Sequence, residues 1–270
     1  MVKAAFQVLV LAVLQGVAEF LPISSSGHLV IGQHLLGLDA PGMRLDICLH
    51  VGTLVSIAVF YFATISRLLG GCFLPSAGAE RRRESWLYAF KIAVSALPAV
   101  VVYFCFSRQI EGLFENARMV GALLMFTGAV LVGTRYLPRG NRDVSLLRAV
   151  LMGLGQAVAL LPGVSRSGMT LASARGGRVD PEQSAEFSFI MSAPLILGAL
   201  LLELRKAFCG GGADAAGELP WGLLAFGTAV SAVVGYFSLK LLVRSLKGRW
   251  FWLFGPYCFV AGLATLVFVD

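Results

Sequence analysis

Six runs of apolar residues stand out along the chain, at about 48–66, 88–106, 119–137, 186–204, 221–240 and 251–269. Each approaches the roughly 20 residues that a helix needs to cross a bilayer. Two further segments, 4–36 and 146–178, are as apolar but are interrupted by Pro, Gly and Ser, in "EFLPISSSGH" (19–28) and "LPGVSRSGMT" (161–170). Each is too broken for one straight helix and long enough for two half-helices joined by an irregular turn. Irregular backbone at membrane depth persists only where it is buried in protein or lines a wet cavity. The pattern predicts an all-α polytopic membrane protein: one integral membrane domain, residues 1–270, with six spanning helices and two re-entrant broken pairs.

The two broken segments resemble each other. "QGVAEFLPISSSGH" (15–28) set over "QAVALLPGVSRSGM" (156–169), an offset of 141, matches at six of fourteen positions: Gln, Val, Ala, Ser, Ser and Gly. At the same offset "DICLHVGTLVSIAVF" (46–60) falls on the apolar "FSFIMSAPLILGALL" (187–201), and "AVSA" at 93–96 recurs at 229–232. The polar matches argue against coincidence in an apolar chain. Two repeats are therefore expected, about 1–140 and 145–270, each with one broken pair and three spanning helices. Three is odd, so the second repeat enters the membrane from the opposite side. In such inverted repeats, binding is expected near the midplane, where the broken segments meet.

Composition sharpens this picture. The chain is 57 % hydrophobic and 14 % charged, with a mean hydropathy of +0.81. Soluble domains carry about 25 % charged residues. The net charge of +7 comes from Lys and Arg in the gaps between apolar runs. No basic stripe interleaved with aromatics points to nucleic acid. Fifteen Lys and Arg fall on one side of the expected topology, including Arg67, Arg81 to Arg83, Arg139 and Lys247; six fall on the other, including Lys3, Arg44 and Arg108. The positive-inside rule puts the first group in the cytoplasm and both termini outside. The first apolar segment runs into Pro22 and serines, not a polar cleavage region, so no removable signal peptide is expected. Cys48, Cys72, Cys105, Cys209 and Cys258 are scattered, form no CxxC pair, and read as small buried hydrophobes. The stretch 70–85, with its run of arginines, reads as a flexible loop.

The chemistry concentrates in the breaks. Gln15 and Glu19 lie four residues apart on one helix face. A carboxylate at membrane depth costs on the order of 2.5–3.5 kcal/mol and needs a cation, a metal ion or a hydrogen-bond donor. Ser24, Ser25 and Ser26 precede an apolar run, and one of them can cap a helix. Capping does not require His28, which can move a proton or bind a metal. In the second break, Gly163 and Gly168 permit tight turns, and Ser165, Ser167 and Thr170 offer hydroxyls. The helix that follows presents N–H groups suited to an anion. Arg166 adds a planar fork matched to phosphate oxygens. A salt bridge from Arg166 to Glu19 in the empty protein is compatible with such a site. Together the breaks can hold an oxygen-rich anion, with phosphate the natural candidate.

These two motifs resemble those of the undecaprenyl-diphosphate phosphatase family, known for bacitracin resistance, and the resemblance covers essentially the whole chain. It implies removal of the terminal phosphate from undecaprenyl diphosphate, which recycles the lipid carrier of cell-wall synthesis. It implies a bacterial inner-membrane enzyme with its site open to the outer face and a divalent cation, Mg or Ca. It carries over Glu19, Ser25, His28, Ser165, Arg166 and Thr170 as active-site residues, with Ser24, Ser26, Gly163, Ser167 and Gly168 beside the substrate. The metal falls to Glu19 and Gln15; this chain has Gln15 where the family has Glu or Gln, so Glu19 carries most of it. His28, Ser25 and water all remain open as the group that attacks phosphorus. The partners are a polyprenyl diphosphate and membrane lipids, with no nucleic acid; a homodimer is among the assemblies the sequence allows. The rival class is a lipid-carrier flippase or ion-coupled transporter, which explains the inverted repeat equally well. It explains a proton-transfer group beside an anion cradle less well.

Overall fold

The computed structural model describes residues 2–37, 43–114, 116–209 and 219–268. Eleven α-helices follow one another among them. The first half holds α1 (Val2–Ala18), α2 (Ser25–Leu35), α3 (Met43–Phe60), α4 (Phe62–Phe73), α5 (Ala79–Phe114) and α6 (Ala117–Gly133). The second holds α7 (Leu146–Val158), α8 (Arg166–Gly176), α9 (Pro181–Cys209), α10 (Trp221–Lys247) and α11 (Phe254–Phe268). Short 3-10 turns sit at Thr134–Tyr136 and Phe251–Leu253. No strand occurs among the described residues, only an isolated bridge between Arg142 and Val179.

Both broken segments are half-helix pairs, α1–α2 and α7–α8. The bounds of α2 and α8 coincide at both ends when shifted by the 141 residues that align the two motifs. Among the described residues, three helical stretches are long and apolar enough to cross a membrane, Ala79–Ile110, Arg118–Tyr136 and Trp221–Lys247; a bent pair makes up to four. That bent pair corrects the run at 48–66. α3 and α4 meet at 79°, because Tyr61, at φ −102° and ψ 23°, leaves helical values. The stretch 70–85 is a loop only over 74–78. α4 continues to Phe73 and α5 begins at Ala79, so Arg81, Arg82 and Arg83 lie in the first turns of a helix. The last residue of the 251–269 run lies outside the described residues.

Small residues let the helices approach closely, as in membrane bundles where packing replaces the hydrophobic effect. Along α6 and α11, a Cβ on Gly121 would lie 2.9 Å from the Gly262 carbonyl, and one on Gly128 2.8 Å from that of Gly255. α3 packs on α10. Each first half-helix packs on a long helix of the other half, α1 on α10 and α7 on α5. Large apolar side chains face outward all around, among them Phe62, Phe104, Phe237 and Val260. Such a belt is expected where lipid tails are the solvent. The core gathers around the first break. Phe20 is fully buried and meets Phe189 edge-on at 5.5 Å between ring centroids. Leu21 and Ile23 join Leu171, Leu239 and Phe251 in the same cluster.

Candidate active site

Each break is shaped by its own sequence and pinned from outside. In the second, the Val164 N–H bonds the Leu161 carbonyl across Pro162 and Gly163 at 3.1 Å. Gly163 has φ 86°, the left-handed value that a type II turn needs at its third position. A Cβ there would collide with the Val120 carbonyl. Thr127 of α6 holds this turn, donating to the Gly163 carbonyl and accepting from the Ser165 N–H, each at 3.2 Å. In the first break the left-handed residue is Ser24, at φ 70°. A non-glycine residue held there stores strain that neighbours must enforce, a pattern concentrated at functional sites. Cys258 of α11 donates to the Pro22 carbonyl at 3.4 Å.

Serines cap both second half-helices. Ser165 Oγ accepts the Gly168 N–H at 3.1 Å, and Ser24 Oγ accepts that of Gly27 at 3.4 Å. Each cap also touches the serine two residues on, Ser165 with Ser167 at 3.2 Å and Ser24 with Ser26 at 3.4 Å. The breaks interlock through their glycines. A Cβ on Gly27 would meet Gly163 Cα at 3.6 Å, and one on Gly168 would meet Pro22 at 3.4 Å. Ser167 Oγ closes the seam by donating to the Leu21 carbonyl at 3.2 Å.

Where the breaks meet lies a cavity of about 230 Å³. Its polar wall is Glu19, Ser24, Ser25, Ser26, His50, Ser165 and Arg166; Ala159, Val164, Ile196 and Leu200 supply an apolar one. Glu19 is 6 % exposed. Its Oε1 is paired with the Arg166 guanidinium. Its Oε2 accepts from Ser25 Oγ at 2.8 Å and from Gln15 Nε2 at 3.1 Å. Glu19 therefore meets its cost at depth through one cation from the other half of the chain and two donors from its own.

Not every expected residue reaches the cavity. Gly163, Ser167 and Gly168 hold the breaks together behind it. Thr170 donates to the Arg166 carbonyl at 2.9 Å and touches Ser188 Oγ at 2.6 Å, inside the protein. His28 is absent from the cavity wall, and both its nitrogens are engaged. Nδ1 lies 2.9 Å from the Ser24 carbonyl, which can only accept, and Nε2 lies 2.7 Å from the Tyr257 hydroxyl. His50 of α3 lines the cavity instead, with Nε2 4.0 Å from Glu19 Oε2. Its position within an apolar run gave no signal. Only the 3.6-residue period of α3 and the meeting of α3 with the first break bring it there.

For a divalent cation the donor set is thin. No group of three or more His, Cys, Asp or Glu among the described residues could hold a metal. Gln15 Oε1, however, is buried without a hydrogen-bond partner, beside a carboxylate. Gln15 is fully buried and absent from the cavity wall; Mg and Ca take six or more oxygens, so of the two only Glu19 faces a cation in the cavity and substrate oxygens would have to supply most of its shell.

A family model described as bacitracin resistance protein BacA matches residues 8–264, a span that contains both breaks. The chain belongs to the BacA family. Its relatives include the undecaprenyl-diphosphatase of Pelotomaculum thermopropionicum, 38 % identical over 97 % of this chain and 96 % of that protein. That of Desulfatibacillum aliphaticivorans is 37 % identical over 97 % of both chains. That of Methanobrevibacter smithii is 34 % identical over 97 % and 96 %. The resemblance read from two motifs thus extends over nearly the whole chain.

Proposed function

We propose that this protein is an integral membrane phosphatase that hydrolyses undecaprenyl diphosphate to undecaprenyl phosphate and inorganic phosphate. That activity recycles the lipid carrier for peptidoglycan synthesis and confers bacitracin resistance. The observation that carries the proposal is the buried Glu19–Arg166 pair, joined across the two breaks in a small cavity ringed by hydroxyls. Membership of a family whose relatives are named undecaprenyl-diphosphatases supports it.

The roles follow from donors and acceptors. Arg166 and the N–H groups opening α8 supply donors for phosphate oxygens, the Ser165 hydroxyl joins them by turning away from Ser167, and the helix N-terminus favours negative charge. Fixed donors of this kind act on charge that develops during phosphoryl transfer. When the diphosphate enters, Arg166 exchanges a carboxylate oxygen for phosphate oxygens and leaves Glu19 free to orient the attacking group. Ser25, already bonded to Glu19, is one such group. His28 reaches the cavity only by leaving Tyr257. A cation would be held by Glu19 and the diphosphate itself, with Gln15 behind the carboxylate, and would neutralise phosphate charge there. Ile196, Leu200 and Ala159 form the wall nearest the lipid tail.

The protein lies in the bacterial inner membrane as two inverted repeats, with its termini and the cavity mouth outside. The matching bounds of α2 and α8 and the Lys/Arg asymmetry support that arrangement. Purified protein given a polyprenyl diphosphate with Mg or Ca should release phosphate, and Glu19→Ala and Arg166→Ala should each abolish release. Full activity in either variant overturns the site. No hydrolysis by wild type, with lipid flipping in vesicles, favours the transporter class.

A further inference from the structure

His50 carries a role that the two motifs do not contain. Its Nδ1 lies 2.8 Å from the Asp46 carbonyl. A carbonyl only accepts, so Nδ1 carries the hydrogen, and in the neutral form of the ring Nε2 holds a lone pair on its other side. That lone pair lies at the cavity wall, 4.0 Å from Glu19 Oε2. Two acceptors facing each other at this distance do not bond directly. A single water oxygen can sit about 2.8 Å from both and give each a hydrogen.

We infer that His50 and Glu19 jointly hold the water that attacks the terminal phosphorus, which makes His50 the proton acceptor of the reaction. The inference rests on the phosphatase reading above. The water oxygen forms a bond to the terminal phosphorus, and the bridging P–O bond breaks with its electron pair staying on the lipid monophosphate. The water proton passes to His50 Nε2, and the products are the lipid monophosphate and inorganic phosphate.

The asymmetry of the halves supports this assignment. At the 141-residue offset, Leu160 stands for Glu19, Met191 for His50 and Arg166 for Ser25. Acceptors gather on the first half and phosphate donors on the second. A diphosphate held by the donors therefore turns its terminal phosphorus toward the acceptor pair. Side-chain exposure of 30 % keeps His50 within reach of solvent. His28, whose two nitrogens are engaged, offers no free acceptor.

The test uses the full chain in detergent with a polyprenyl diphosphate labelled with 32P at the terminal phosphate. His50→Ala should lower kcat about 10²–10⁴-fold with KM changed by less than about threefold. Added imidazole should restore about tenfold or more of the lost rate. His50→Gln, which keeps a polar side chain but takes up no proton, should stay as slow as His50→Ala. Rapid quenching should find no label on the protein. Active wild type with His50 variants within about tenfold of it, or a labelled phosphoenzyme, overturns this inference alone. Slow variants that imidazole does not rescue overturn it too. Wild type that releases no phosphate overturns the phosphatase reading and this inference with it.

Discussion

Replacing both members of the Glu19–Arg166 pair should cost less stability than the two single replacements added together. The Glu19 side chain is 5 % exposed and that of Arg166 21 %. Removing one partner of a buried pair leaves an uncompensated charge and costs about 3–5 kcal/mol. Ser25 and Gln15 still donate to Oε2 in Arg166→Met, so the loss should fall near the lower end, about 3 kcal/mol. Glu19→Gln leaves Arg166 partly in solvent and should cost about 1.5–3 kcal/mol, the range of one hydrogen bond to a charged group. The double variant buries no lone charge. It should recover much of the summed loss, with a coupling energy of about 2 kcal/mol. Reversible denaturant unfolding in mixed micelles measures all four proteins. A coupling below about 0.5 kcal/mol would refute the reasoning, since that is the scatter of independent sites. Phosphate release separates stability from chemistry: the double variant should stay inactive although part of the summed loss returns.

Other positions give sharper local tests. Gln156 is buried with neither side-chain polar atom bonded, so Gln156→Met should raise the melting temperature in detergent, by removing atoms that cost about 1–3 kcal/mol each. Gly163→Ala forces a left-handed residue to carry a Cβ against the Val120 carbonyl; it should lose at least about 1–3 kcal/mol, and unchanged stability would refute that placement. Ser165→Ala removes the α8 cap and should cost about 0.5–2 kcal/mol, read by the same unfolding curves. Tyr257→Phe removes the hydroxyl at His28 Nε2 and should cost about 1 kcal/mol while phosphate release persists; a fall in kcat of about 100-fold would instead put His28 in proton transfer.

Much of the site could be read from residue order, because its two halves announce themselves. Pro22, Pro162 and Gly163 break helices by local geometry alone, so both breaks were legible. The Gln-to-Gly match at an offset of 141 foretold the shared bounds of α2 and α8. Glu19 and Arg166 were legible as partners because lone charges at membrane depth are costly. His50 was not, because a single polar residue in an apolar run says nothing about which helix face meets the cavity. The bend at Tyr61 was hidden for a related reason. An apolar run records burial or lipid contact but not direction, and no Pro or Gly marks that site. Thr170 shows the converse limit. A hydroxyl four residues past Arg166 looks like a ligand, yet on a helix it returns to the carbonyl behind it and to α9.

The ion pair at the centre of the fold has a consequence for how the chain is made. Arg166 follows Glu19 by 147 residues. At about 5–20 residues per second, that separation amounts to roughly 7–30 s of synthesis. Throughout that interval the nascent first half lacks the guanidinium that pairs with Glu19 Oε1. It must wait near water, or beside the insertion machinery, before the first break can close. Arrival of the second half supplies the charge, the serine that bonds Leu21 and the glycine that meets Pro22 together. A chain that stops short of Arg166, or inserts it wrongly, therefore keeps an open break and a carboxylate without its guanidinium.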